Sequence, residues 1–151
     1  MSIWVPGATK IERTQEADLA MGAQNEILCH YMIEDITGES MIKLSYTFEV
    51  IDFEGPTSWA ELKSRRCASY TYDTTIIGVK KGWEAVKHMK RGKRVFFVFK
   101  FTDGLFYIRF IPKLFDTYTV GDITTVRDNK SDPRGSHIHI PVAHLLRFSS
   151  R

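Results

Sequence analysis

The chain has 151 residues, 43% of them apolar and 26% charged, with a formal net charge of +3. That balance suits one soluble globular domain, long enough to bury a core of its own. No apolar run reaches 18 residues, which argues against a membrane-spanning helix, and the N-terminal MSIWVPGATKIERTQEADL lacks the charged-then-apolar pattern of a secretory signal.

The two cysteines, Cys29 and Cys67, are therefore expected as free thiols, and cytoplasm or nucleus is the expected compartment. The charge is uneven. Lys80, Lys81, Lys87, Lys90, Arg91, Lys93 and Arg94 fall within 15 residues, with Glu84 as the matching acid. This is a local basic patch.

Residues 1–25 are mixed and polar, with Pro6-Gly7, and read as an arm or edge strand preceding a domain over 26–149. In EILCHYMIE, Ile27, Cys29, Tyr31 and Ile33 alternate with Leu28, His30 and Met32, which predicts a strand over 26–34. Thr37-Gly38 marks a turn. Met41–Asp52 is again strand-like, with Ile42, Leu44, Tyr46, Phe48 and Val50 on one face. EGPTS at 54–58 is a loop, and Thr57 or Ser58 is placed to cap a helical turn through TSWAELKSR. An extended pattern resumes over Cys67–Ile77 and breaks at Gly78.

Lys81–Met89 predicts a short helix whose apolar stripe is Trp83, Val86 and Met89. Its last turn is cationic, as the helix dipole favours, and Gly92 supplies the stop. VFFVFKF at 95–101 is apolar on both sides and reads as a central strand. Asp103-Gly104 then predicts a tight turn into a returning strand, Leu105–Ile111. Asp122–Ser136 reads as a long polar loop, and His137–Phe148 as a last strand with Pro141 at a bulge or edge. Many strands with one or two short helices give an α+β class.

The run Val79-Lys80-Lys81-Gly82-Trp83-Glu84, then Met89, then Arg91-Gly92-Lys93-Arg94 and a strand, resembles the signature of the FKBP-type peptidyl-prolyl isomerases. Cys29-His30-Tyr31 and the tail His137–Phe148 resemble two further segments of that family, in the same order. The resemblance implies a twisted antiparallel half-barrel wrapped around one short helix. It also implies an apolar pocket with Trp83 as floor, Tyr31 as wall, Val79 and the Lys80 backbone N–H as rim, and Ile140 at a wall position. Asp52 and Tyr118 would stand in for the family's polar and aromatic pocket members. Prolyl isomerisation needs no nucleophile, because its barrier of roughly 18–20 kcal/mol is amide resonance. A dry, shaped pocket is enough.

The departures are as specific. No Phe-Asp pair follows Gly38, the Tyr-rich loop after the central strand is absent, and the Asp103-Gly104 hairpin is extra. A divergent member follows, acting mainly as a protein–protein interaction or co-chaperone-type module with weak or absent isomerase activity. An active isomerase is the alternative, and nucleic-acid binding through residues 80–94 a third. The basic set Lys87, Lys90, Arg91, Lys93 and Arg94 would face a protein partner carrying an acidic or proline-containing segment. Nucleic acid would also need an exposed aromatic beside the patch. His137 and His139 share a strand face, but no third ligand has suitable spacing, so no metal and no cofactor are expected.

Overall fold

The computed structural model describes residues 26–47, 50–121, 124–125, 130–131 and 136–149. The predicted arm, residues 1–25, lies outside them. The chain divides into two compact units, Met1–Gly38 and Glu39–Arg151.

In the first unit the described residues form helix α1, 26–37, where the alternation predicts a strand. Both alternating sets in EILCHYMIE carry apolar residues, Leu28 and Met32 lying opposite Ile27, Cys29, Tyr31 and Ile33, so a period of two singles out no clean face. The buried positions, Cys29, Ile33 and Thr37, recur at every fourth residue, the spacing of a helical stripe. The Thr37 hydroxyl donates back to the Ile33 carbonyl at 2.9 Å, and the Gly38 N–H closes the last turn on the Glu34 carbonyl at 2.8 Å.

The second unit is α+β. Six strands form its main sheet: β1 (Ile42–Thr47), β2 (Val50–Glu54), β3 (Ser58–Ser64), β5 (Arg94–Phe101), β6 (Gly104–Arg109) and β11 (Leu146–Arg147), in spatial order β1-β2-β3-β5-β6-β11. A smaller sheet places β10 (His137–Pro141) between β4 (Thr74–Gly78) and β7 (Thr119–Gly121). Of the predicted 122–136 loop, a ribbon of β8 (Thr124–Thr125) with β9 (Lys130–Ser131) is described. Helix α2 (Val79–Lys90) joins β4 to β5, and α3 (Pro112–Phe115) is a single turn. Among the described residues no helix is long and apolar enough to cross a membrane.

The main sheet is mixed, against the antiparallel expectation. β3 and β5 run parallel, with Ser58 opposite Arg94 and Ser64 opposite Lys100. The physical reason is the excursion between them. A parallel pair needs a crossover of a dozen or more residues, and the segment carrying β4 and α2 supplies it. The predicted helical turn at 57–65 is β3 itself. Trp-Ala-Glu-Leu-Lys contains good helix formers, but pairing on both sides, with β2 and with β5, overrides local preference. The strand expected over 67–77 shortens to β4. The run 41–52 is two strands, not one, and β1 lies at the sheet edge with Ile42 69% exposed.

The aromatic hairpin forms as the sequence predicts. β5 is central, buried through Phe96, Phe97, Val98 and Phe99, and β6 returns after Asp103-Gly104. The Asp103 carboxylate accepts hydrogen bonds from the Ser69 N–H at 2.7 Å and the Ser69 hydroxyl at 2.6 Å, tying the 65–73 loop to the hairpin tip. Those bonds hold the Asp103 carboxyl below its ordinary value. The core gathers one face of β5 (Val95, Phe97, Phe99, Phe101) with Ile77, Ala85, Ile138 and Ile140 from the small sheet and α2. At roughly 1.5–3 kcal/mol per buried large apolar side chain, this cluster is the main stabilising term of the unit. Phe53, Ala60, Leu62, Phe96 and Val98 are also buried.

Candidate functional site

Helix α2 is the element on which the basic patch and the tryptophan meet. Its inward stripe is Gly82 and Ala85, with Val79 and Val86 packed against the core. This is one residue out of phase with the stripe predicted through Trp83, Val86 and Met89. Small residues carry the inward face because the helix lies close to the small sheet. A Cβ on Gly82 would come within 3.1 Å of Ile138 Cδ1. Trp83 therefore points away, 63% exposed, and Met89 is exposed too. Gly92 ends the helix as expected. With φ at 85° it takes the left-handed conformation, and its N–H bonds the Met89 carbonyl at 2.9 Å.

Two polar rows flank that stripe. The outer row is Lys80, Trp83, Lys87 and Lys90, at spacings of three, four and three, so the four share one exposed side of the helix. The second row is Lys81, Glu84 and His88, facing β3 across a shallow cleft also lined by Trp59, Glu61 and Val95. Counting the part open to solvent, the cleft measures about 190 Å³.

Glu61 is 3% exposed on β3, opposite Phe97 in the sheet register. Its Oε1 lies 2.9 Å from the Lys81 ammonium, which also reaches Glu84 Oε2 at 3.4 Å. Burial would push the Lys81 pKa down, but the hydrogen bond and charge of Glu61, helped by Glu84 and Asp52, leave it above its ordinary value. Asp52 is the cross-strand neighbour of Glu61. Burial, and then the Glu61 charge, push its carboxyl up. At the far end the His88 ring stacks on Trp59, with centroids 3.8 Å apart and planes 17° from parallel. Burial, and then nearby Arg91, push the imidazole pKa down, so His88 is neutral at neutral pH.

The predicted basic patch separates into two parts. Lys93 donates to the Gly55 and Pro56 carbonyls at 2.6 and 3.1 Å and pairs with Glu54 at 3.3 Å. Arg94 donates to the Ser58 hydroxyl at 2.7 Å. Both hold the β2–β3 turn against the end of α2. Arg91 sits 3.8 Å from Glu54. The lysines that face water beside Trp83 are Lys80, Lys87 and Lys90.

The other predicted pocket members have surroundings of their own. Val79, Tyr118 and Ile140 belong to the core cluster, Ile140 fully buried and Tyr118 nearly so. The Tyr118 hydroxyl and His144 Nδ1 are 2.8 Å apart, and burial pushes the phenol up. Tyr31 is 70% exposed on α1, in the other unit. Asp52 pairs across the β2–β3 ladder with Glu61. Lys81 and Glu84 belong to the run Val79–Glu84, but Glu61, His88 and Trp59 carry no local motif. The nearest signal in the sequence is an acid in an otherwise half-apolar strand, Glu61 in SWAEL. Among the described residues no three His, Cys, Asp or Glu side chains are arranged to hold a metal ion.

No family model, curated protein or solved structure matches the chain.

Proposed function

We propose that this chain is a divergent FKBP-type domain working as a protein-interaction module, with weak or absent prolyl isomerase activity. Its binding face is the outer row of α2, and its partner is an acidic protein segment. The observation that carries this reading is Trp83, 63% exposed between Lys80 and Lys87 on one side of a helix. A large amphipathic ring with little rotamer entropy to lose is the commonest kind of interface anchor. Three lysines around it would steer and orient a carboxylate-rich segment. The loss of isomerase activity is supported by the same residue. Among the described residues, a Trp83 ring 63% exposed to solvent, with Tyr118 and Ile140 in the core cluster, is not the dry floor that a prolyl amide needs.

The exposed ring also favours a second reading, single-stranded nucleic acid stacking on Trp83 with its phosphates on the lysines. One titration separates the two. A glutamate-rich peptide and an oligo-dT of equal charge are added at low and at moderate salt. The peptide is expected to bind more tightly, and binding of both to weaken with salt. Lys87→Glu with Lys90→Glu should weaken peptide binding by about tenfold or more, and Trp83→Ala should abolish it. Equal or tighter binding of oligo-dT transfers the site to nucleic acid. In a protease-coupled assay on a Phe-Pro peptide, turnover well above background that collapses in Trp83→Leu would refute the loss of isomerase activity.

A further inference from the structure

The outer row of α2 has a counterpart in charge and spacing on α1. Cys29, Ile33 and Thr37 are the buried side of that helix. On the opposite side a surface helix ordinarily carries polar residues. α1 carries Ile27, Leu28 and Tyr31 there, each more than half exposed. Large apolar side chains gathered in water on one helix face mark an interaction surface.

Charge points to what covers this face. Residues 26–38 include the acids Glu26, Glu34 and Asp35, and no lysine or arginine. Leu28, Tyr31 and Asp35 follow at spacings of three and four, so they form one row, with Glu34 at its edge. Lys80, Trp83 and Lys87 have the same spacing on α2, and that row holds lysines and no acid. Both helices rise about 1.5 Å per residue, so the two rows can be laid side by side in register. With the helices parallel and Tyr31 abreast of Trp83, Leu28 meets the methylenes of Lys80, and Asp35 meets the Lys87 ammonium. Lys90 then comes abreast of Gly38, at the end of α1 where the helix dipole favours a cation.

We propose that the acidic segment taken by the outer row of α2 is α1 of a second copy of this chain. This inference rests on the proposed use of that row and names its partner. Each copy carries both surfaces, so the contact is heterologous, α1 of one copy against α2 of the next.

The test is sedimentation equilibrium of the full chain, from micromolar to millimolar concentration, at low and at moderate salt. Wild type is expected to self-associate reversibly, and less at the higher salt. Two charge-reversed chains are then compared, one with Lys87→Glu and Lys90→Glu, the other with Glu34→Lys and Asp35→Lys. Each alone should associate at least about tenfold more weakly than wild type, because like charges now face each other. Mixed in equal amounts they should associate again, since every reversed row then meets its complement. Should the α1 variant not fold, Tyr31→Ser, at an exposed ring, carries the test and is expected to lose self-association while melting as wild type does. A wild type that stays monomeric throughout overturns the proposal. So does self-association that survives in the folded variants, or a mixture of the two reversed chains that stays apart. The glutamate-rich peptide separates this inference from the reading it rests on. If the peptide binds the outer row while the chain stays monomeric, the row serves another acidic protein and only this inference falls. If neither the peptide nor a second copy binds, both fall.

Discussion

Along the outer row of α2, Lys80, Lys87 and Lys90 stand in water. Along its flank, Lys81 lies 2.9 Å from a carboxylate that is 3% exposed. The four side chains are chemically identical and share one helix. What differs is the medium around each charge and the partner it meets. An exposed ammonium is screened and contributes little to folding, which leaves it available to a partner. A half-buried ammonium against a buried carboxylate is held by the fold, because neither charge can be left alone there. The outer row is thus suited to recognition, and the flank is committed to holding α2 on β3.

The largest effect that would test this contrast is Lys81→Met. Removing the ammonium leaves Glu61 buried and unpaired. The expected loss is about 3 kcal/mol, the low end for a broken buried pair because Lys81 is itself partly exposed. Denaturant unfolding measures it. Adding Glu61→Gln to Lys81→Met should recover most of the loss, since the stranded charge is gone. A loss below about 1 kcal/mol would put Lys81 in the same class as the surface lysines and end the contrast.

A smaller effect concerns Asp52, the cross-strand neighbour of Glu61. Its carboxyl is raised above the ordinary value of 3.8, by burial first and by Glu61 second. Because folding raises this pKa, the unfolded chain gives up the proton first as pH rises. Stability is therefore lost as pH climbs from 3.8 through the folded-state value and stays lowered above it. Asp52→Asn should accordingly be the more stable protein at neutral pH, by up to about 1 kcal/mol. The gain should shrink to nothing on acidification below the ordinary carboxylate value. Unfolding curves at neutral and acid pH check this. A variant less stable than wild type at neutral pH would mean that Asp52 is a partner of Lys81 rather than an excess charge.

The same contrast explains what could be read from the sequence. The α2 helix, its stop at Gly92 and the β5–β6 hairpin rest on local signals: a left-handed glycine, an Asp-Gly turn and a strand apolar on both sides. These need no knowledge of the rest of the chain. The outer lysines were legible for the same reason, since a row at helical spacing is a local pattern. An aromatic at helical spacing predicts an inward face for Trp83. The close approach to Ile138 instead demands Gly82 and Ala85 there. Strand β3 has the composition of a helical turn, and its partners, β2 and β5, are set by pairing and not by composition. The Glu61–Lys81 pair spans 20 positions of sequence and depends on the parallel β3–β5 register that places β3 beneath α2. The helix α1 shows only in burial, at Cys29, Ile33 and Thr37, because apolar residues fall on both sides of its period-two alternation.

The smallest expected effect on folding completes the comparison from the outer side. Among the described residues Lys80, Lys87 and Lys90 have no ion-pair partner, and all three are exposed. Changing each to Gln removes one unit of charge while keeping the helix-forming stem, so each should shift stability by no more than about 0.5 kcal/mol. Replacing Lys87 and Lys90 should even cost slightly, because cations near the helix C-terminus favour the macrodipole. The informative measurement pairs these small stability changes with binding. If the outer row is a recognition face, the triple Gln variant should melt within a few degrees of wild type and yet lose most of its affinity for a glutamate-rich peptide. In Lys81→Met the pattern should invert, with a large fall in stability and little change in peptide binding while the protein stays folded. A triple variant that loses stability as Lys81→Met does would show that the outer lysines also serve the fold, and the division between the two faces of α2 would fail.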